Sequence, residues 1–422
     1  MIEQALSFVR TRLGAMMFFE YVIWGAWYVT LTTYLTQTLQ FSGTEAGAVF
    51  GTAALASLLS PFFVGLVADR FFATERVMAT LYLVAAACMY LVTQVSSFGA
   101  VYSLMLAFCL LYFPTIALTN SIAMKHVKDP GRDFPPIRTM GTLGWIAVNN
   151  LVGFMRVEAD TTPFLMGAAG CVVMAIYSLV ALPHTPPPGK GKKVTIGAIV
   201  GLDALVLFRQ RDFAVYLVAS VLACVPLTFY YSFTNAYLND VGVVNAAGKM
   251  TLGQASEVVM LLLMPVFFRM WSVRTILLLG LASWAIRYVL LAYGNPQEGM
   301  WMFYLAILLH GVCFDFFFVT GFLYANQVAP PELRSTAQGL ITLATYGLGM
   351  LIGSFLSGGV LDYFSATGPG GAVTRNWQAF WLSSAAMSFA ITLIVLFFFR
   401  SSVRITAEQK QAGRTADATA ST

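Results

Sequence analysis

Between residues 13 and 399 the chain passes through one apolar stretch after another, each near the ~20 residues an α-helix needs to cross a bilayer. The stretches fall at 13–36, 46–68, 76–96, 99–124, 136–155, 162–183, 213–237, 250–268, 275–294, 300–326, 336–361 and 377–399, which is twelve. In lipid a lone span must satisfy its own backbone hydrogen bonds, so these stretches predict helices. Composition excludes the alternative of buried core helices. Only 10% of residues are charged, against roughly 25% in soluble domains, too few to cover a soluble protein of this length. The first stretch follows Arg10 and Arg12 but exceeds the roughly 7–15 residues of a signal-peptide core, and so reads as a retained helix.

Positive charge fixes the orientation. With the N-terminus inside, nineteen of the 24 Lys and Arg residues fall on the cytoplasmic side. Only Arg156, Lys249 and Arg375 fall outside, and Arg138 and Arg287 lie within spans. A missed or extra span would mix these loops, so the asymmetry supports both the count and an N-in, C-in topology. The longest polar segment, His184 to Asp212, carries a run of three prolines and three lysines between residues 186 and 193. It divides the chain into an N-terminal six-helix bundle (1–183), a cytoplasmic linker (184–212), a C-terminal six-helix bundle (213–400) and a disordered cytoplasmic tail (401–422). Residues 196–208 are apolar enough to lie along the membrane surface.

Several classes of function are excluded. The five cysteines form no CxxC pair, and the three histidines (His126, His184, His310) are scattered. No metal-ligand cluster, nucleophile–histidine constellation or P-loop pattern occurs. The net charge of +5 belongs to the cytoplasmic loops and does not indicate nucleic-acid binding. The expectation is a transporter rather than an enzyme, without metal or organic cofactor.

Six plus six helices about a basic linker is the layout of a major facilitator transporter, in which two halves rock about a central site. The stretch Gly65-Leu-Val-Ala-Asp69-Arg70 closes the second span and resembles that superfamily's loop signature, a gating motif. The bland reading is a charge pair anchoring a helix end.

Ionisable residues inside spans are expensive and mark candidate sites. Here they are Glu20, Arg138, Glu257, Arg287, His310 and Asp315. Glu20 shares a helical face with Trp24 and Trp27, and Gln254 shares one with Glu257. Asp315 sits among four phenylalanines, where a carboxylate needs a partner or a proton. Glu20, Glu257 and Asp315 are the proton-coupling candidates, and the sequence does not choose among them. Each residue also has a structural reading: Arg138 as a snorkelling side chain, Arg287 as a counter-ion, His310 as a helix–helix hydrogen-bonding group.

The stretch Asp133-Phe-Pro-Pro-Ile-Arg138-Thr-Met-Gly141-Thr142-Leu-Gly-Trp145 resembles a signature of the bacterial nucleoside:proton symporter family. So do Gln254-Ala-Ser-Glu257, Trp284-Ala-Ile-Arg287 and Cys313-Phe314-Asp315-Phe-Phe. The order holds from Trp24-Gly-Ala-Trp27 to Ala337-Gln-Gly339. The resemblance implies proton-driven nucleoside uptake across a bacterial inner membrane by a monomer, with the proton as coupling ion. It implies a site using Arg138, Thr142, Trp145, Gln254, Glu257, Phe314 and Asp315, with Trp24 and Trp27 available for stacking. There are two departures. Where the family presents amides in the seventh span, this chain has Thr228 and Tyr231. Where its best-known members carry an amide in the first, this chain has Glu20. A facilitator-fold porter for another polar solute, such as a sugar or modified nucleoside, is the alternative.

Overall fold

Twelve long helices account for nearly all of the described residues, which in this computed structural model are 2–63, 72–186, 202–368 and 373–405. They are α1 (Ile2–Tyr28), α2 (Gly43–Phe63), α3 (Thr74–Val92), α4 (Phe98–Lys125), α5 (Pro130–Met155) and α6 (Thr162–Val180). After the linker come α7 (Arg211–Asp240), α8 (Ala246–Met270), α9 (Val273–Tyr293), α10 (Met300–Val328), α11 (Thr336–Tyr363) and α12 (Trp377–Phe398). Nine of these meet the length and hydropathy needed to cross a membrane. Their outward faces carry large apolar side chains, such as Phe154 at 82% and Leu262 at 75% exposure. Only a lipid surround makes such faces stable, and the chain is a multi-pass membrane protein.

The gating motif Gly65, Asp69 and Arg70 lies outside the described residues, as do 187–201 of the linker and 406–422 of the tail. The described end of the linker, expected to lie on the membrane, forms a short 3-10 helix, Leu202–Arg209. The fold is not wholly helical. An antiparallel pair of three-residue strands, β1 (Ser365–Thr367) and β2 (Val373–Arg375), closes the loop after α11. That loop is too polar to span and too short to need a helix, so a hairpin pairs its backbone.

Three π turns also interrupt the helices: Tyr34–Thr38 beyond α1, Asp315–Val319 within α10 and Leu343–Gly349 within α11. Each inserts one residue into the α-helical register, a feature frequent at functional sites.

By contact density the chain resolves into two units that do not coincide with the two six-helix halves. The first gathers Met1–Ile199 with Cys224–Thr251 and Thr345–Trp377; the second holds Val200–Ala223, Leu252–Ala344 and Gln378–Thr422. The change of unit falls just before Pro226 in α7, just before Gly253 in α8 and inside the π turn of α11. Proline, glycine and π turns are where helices bend.

In the first unit, α1 crosses α5 at backbone contact. A Cβ on Gly144 would stand 2.2 Å from the Phe18 carbonyl oxygen, and one on Gly25 would stand 2.8 Å from Val148. Asp133, expected as part of a motif, has a structural task at the inner end of this crossing. Arg10 donates to its Oδ1 at 2.6 Å. Burial opposes the charge of Asp133, but the Arg10 hydrogen bond, the Asp129 N–H and the charges of Arg10 and Arg132 outweigh it. They hold this carboxyl, which precedes the span, below its ordinary value. A lowered carboxylate adds stability above its unfolded pKa and loses it as pH falls through the folded one. Asp133→Asn is therefore expected to lower the thermal midpoint in detergent at neutral pH. The gap to the unsubstituted protein should close below about pH 4. A gap that persists well below that acidity would contradict the ion pair's role.

The outer ends of α7 and α8 are tied to the N-terminal helices by side chains the sequence did not single out. Glu158, in the loop after α5, is 4% exposed. It accepts from Asn235 Nδ2 at 2.8 Å, Asn239 Nδ2 at 2.7 Å and the Ala247 N–H at 3.1 Å. Thr33 donates to Asn235 Oδ1 at 2.5 Å. Asp240 accepts from Gln37 at 2.8 Å, Arg375 at 2.9 Å and Trp377 Nε1 at 3.1 Å.

Candidate functional site

The expected site residues divide between the two units, and each group is built separately. In the first unit an aromatic cluster forms where α1 meets α4 and α5. Trp24 lies edge-on to Trp145 at 5.6 Å, to Phe113 at 5.5 Å and to Tyr28 at 5.6 Å, and is tilted against Tyr21 at 5.8 Å. Tyr28 extends the cluster to Trp145 at 6.0 Å and Tyr231 at 6.3 Å. The helical period explains the set, since Tyr21, Trp24 and Tyr28 recur at three and four residues. The Arg138 guanidinium stands 4.2 Å over the Tyr21 ring, a cation–π contact that holds it without neutralising it. Trp24, Trp145, Tyr231, Arg138 and Thr142 all keep partial exposure. The Trp24 indole N–H has no hydrogen-bond partner among the described residues. Flat faces, an indole N–H without a partner among the described residues and a partly exposed cation suit a planar, polar solute.

Two of the expected contacts are not surfaces that a ligand can reach here. Trp27 has no exposed surface and its ring lies edge-on to Phe108 at 5.4 Å. Thr228 is also fully enclosed; its hydroxyl donates back to the Cys224 carbonyl at 2.7 Å, and its side chain fills the space left by Gly353. Glu20 is not exposed beside the aromatic cluster. It is wholly buried between α1, α3 and α4, where Tyr82 and Thr115 meet its carboxyl. Periodicity groups residues by face but does not say what packs on that face, which is why Glu20, Trp24 and Trp27 read as one set.

In the second unit α8 meets α10 with almost no spacing. A Cβ on Gly311 would lie 2.5 Å from the Ser256 carbonyl oxygen, and Ser256 Oγ donates to the Leu308 carbonyl at 2.5 Å. This crossing sets Glu257 beside His310, with Oε2 3.8 Å from Nε2. Arg287, fully buried on α9, approaches His310 Nδ1 at 3.1 Å through Nη1. A guanidinium only donates, so Nδ1 accepts and the imidazole hydrogen sits on Nε2, facing Glu257. The three form a line from a buried cation to a carboxylate that is partly open. Gln254 and Phe314 also remain partly exposed; Phe314 packs between His310 at 5.7 Å and Phe318 at 4.8 Å.

Asp315 opens the π turn of α10 and is 1% exposed. Its Oδ2 finds no hydrogen-bond partner among the described residues. Glu257 is close enough for its charge to act on it. An enclosed carboxylate oxygen with no donor has the capacity to take a proton, or a donor on another molecule.

The family model described as nucleoside H+ symporter matches residues 8–404. YegT, a transporter of Escherichia coli strain K12, is similar at 41% identity over 401 residues, covering 93% of this chain and 94% of its own. The xanthosine permease of the same strain is 30% identical over 406 residues, covering 93% and 95%. A crystal structure of the nucleoside transporter NupG matches with a TM-score of 0.85 at 27% identity, covering 93% of this chain and 99% of that one.

Proposed function

Since the chain belongs to the nucleoside H+ symporter family, we propose that it carries nucleosides into a bacterial cell across the inner membrane, driven by proton entry and working by alternating access. The observation that carries this reading is the second-unit constellation. Gln254 and Glu257 share a face of α8, and the Arg287–His310 pair stands behind Glu257. An amide beside a carboxylate can bind the vicinal hydroxyls of a ribose, and the buried pair fixes the carboxylate's surroundings.

Trp24, Trp145, Tyr231 and Phe314 supply aromatic faces for a base. Arg138 and Thr142 supply polar contacts. Trp27 and Thr228 support these by packing. The proton rides on one or more of Glu20, Glu257 and Asp315, and no other coupling ion or cofactor is invoked. The protein acts as a monomer.

The test is uptake of radiolabelled uridine and adenosine into proteoliposomes, with and without an inward proton gradient. The expected result is accumulation that requires the gradient and collapses with a protonophore. Uptake that ignores the gradient would remove proton coupling. Uptake of neither nucleoside by folded protein would remove the substrate assignment. It would favour a porter for another polar solute, a reading that the enclosed Thr228 of α7 supports.

A further inference from the structure

Glu20 lies deep in the N-terminal helices. It has zero exposure, and no ion pair reaches it among the described residues. The groups around it come from every neighbouring element. Tyr82 stands on α3, Tyr112 and Thr115 on α4, Arg138 on α5, Cys171 on α6, and Tyr21 on its own helix. Arg138, the one cation among them, stands over the Tyr21 ring and makes no ion pair with Glu20 among the described residues.

The hydrogen bonds that reach Glu20 come from neutral hydroxyls. Tyr112 donates its own hydrogen to the Glu20 backbone carbonyl at 2.5 Å. The Tyr82 hydroxyl meets Glu20 Oε2, and Thr115 Oγ1 meets Glu20 Oε1 at 2.9 Å and the Tyr112 carbonyl at 2.6 Å; the Tyr112 hydroxyl also reaches the Glu20 carboxyl, and Thr115 reaches Tyr82. Tyr82 and Thr115 bring one hydrogen each. A carbonyl cannot donate, so the shorter Thr115 contact takes that hydroxyl's hydrogen. A hydrogen on the Glu20 carboxyl would serve the contact between Oε1 and Thr115 and leave this enclosed group uncharged.

We propose that Glu20 is a proton-binding site of this protein, occupied in the conformation described and switched by the Thr115 hydroxyl. In the loaded state the carboxyl donates to Thr115, and Thr115 donates to the Tyr112 carbonyl. In the unloaded state the O–H bond of the carboxyl breaks and its proton passes to solvent water once the cluster opens. The Thr115 hydroxyl then turns its hydrogen onto Oε1. The carboxylate keeps two donors, Tyr82 and Thr115, and only a backbone carbonyl loses a partner. Both states thus keep the carboxyl hydrogen-bonded, a requirement for a group that must change charge while buried. Pro114, next to Thr115, removes one backbone N–H from α4, leaving the helix locally weaker where the cluster must open.

The proposal deepens the symporter reading and rests on it for the proton's purpose. Its test does not require a nucleoside. Infrared difference spectra of the reconstituted protein, recorded through a pH titration in water and in heavy water, report the C=O stretch of protonated carboxyls. The expected result is a band at neutral pH that Glu20→Gln removes and that Glu257→Gln and Asp315→Asn retain. Thr115→Val, which deletes the acceptor, is expected to shift that band to higher frequency without abolishing it. This variant keeps the proposal open to refutation if Glu20→Gln does not fold. Spectra of the unsubstituted protein and Glu20→Gln that superimpose would overturn the proposal, and so would a band unmoved by Thr115→Val.

Discussion

With Asp315 replaced by asparagine, the protein is expected to fold at least as stably as before yet to lose uphill nucleoside accumulation. The size follows from what is removed. Hydrogen bonds to a charged partner are worth about 1.5–3 kcal/mol, so accumulation should fall by about tenfold to a hundredfold. Counterflow of labelled uridine against unlabelled uridine moves no net proton, so it should survive within about threefold, half a decade or less than 1 kcal/mol. Stability should not fall, because the amide is isosteric and replaces an enclosed carboxylate whose Oδ2 accepts nothing among the described residues. A group retained against the interest of the fold is a sign of work done elsewhere. Side-by-side thermal midpoints and the two transport modes in one liposome preparation would check this. Undiminished proton-driven accumulation would remove Asp315 from the mechanism. A large drop in midpoint would make its role structural.

The second large effect concerns assembly rather than transport. Gly144→Val is expected to yield little or no monodisperse protein in detergent. The added Cβ would meet the Phe18 carbonyl oxygen at 2.2 Å, with its carbonyl carbon at 3.0 Å. Both atoms belong to backbone and cannot turn aside, so α1 and α5 must separate. Overpacking against movable side chains costs about 1–3 kcal/mol, and here the obstacle does not move. Against a total stability of about 5–15 kcal/mol, that loss is large. Gly99→Ala on α4 is the control. A Cβ there meets nothing within 4 Å, so the gain should be about 0.4–1 kcal/mol from reduced freedom of the unfolded chain. Size-exclusion profiles and thermal midpoints of the two variants should diverge in opposite directions. Equal behaviour would mean that the crossing is not close-packed.

The twelve helices were legible because lipid imposes one strong rule, enough consecutive apolar residues, that length and composition reveal. The rule is silent on what happens inside a span. The π turn at Asp315–Val319 leaves composition unchanged, so nothing in the phenylalanine run announces it. The hairpin after α11 was missed because β1 and β2 are three residues each, too short for alternation to register.

At the site, residue types were legible and orientations were not. Glu257 was placed beside Gln254 by spacing alone, but its neighbour His310 comes from another helix and no local pattern joins them. Glu20 was grouped with the tryptophans for the same reason in reverse. Tyr28 was within reach of a sequence reading, standing four residues after Trp24 on the same face. Glu158 was not, since a loop carboxylate looks solvated until α7 and α8 supply its donors.

The π turn in α10 also bears on which changes in length the chain tolerates. A π turn holds one residue more than the α-helix would use. Deleting a single residue between Asp315 and Val319 would remove that extra residue and let the helix relax to ordinary winding with its register kept on either side. Tyr324, edge-on to Phe399 at 5.4 Å, and Phe322, whose carbonyl accepts from Gln338 at 2.7 Å, would then keep their present neighbours. The same deletion in an uninterrupted stretch of α-helix would turn everything after it by about 100° about the axis. Descendants of this sequence can lose one residue in that turn more readily than in the α-helical stretches on either side.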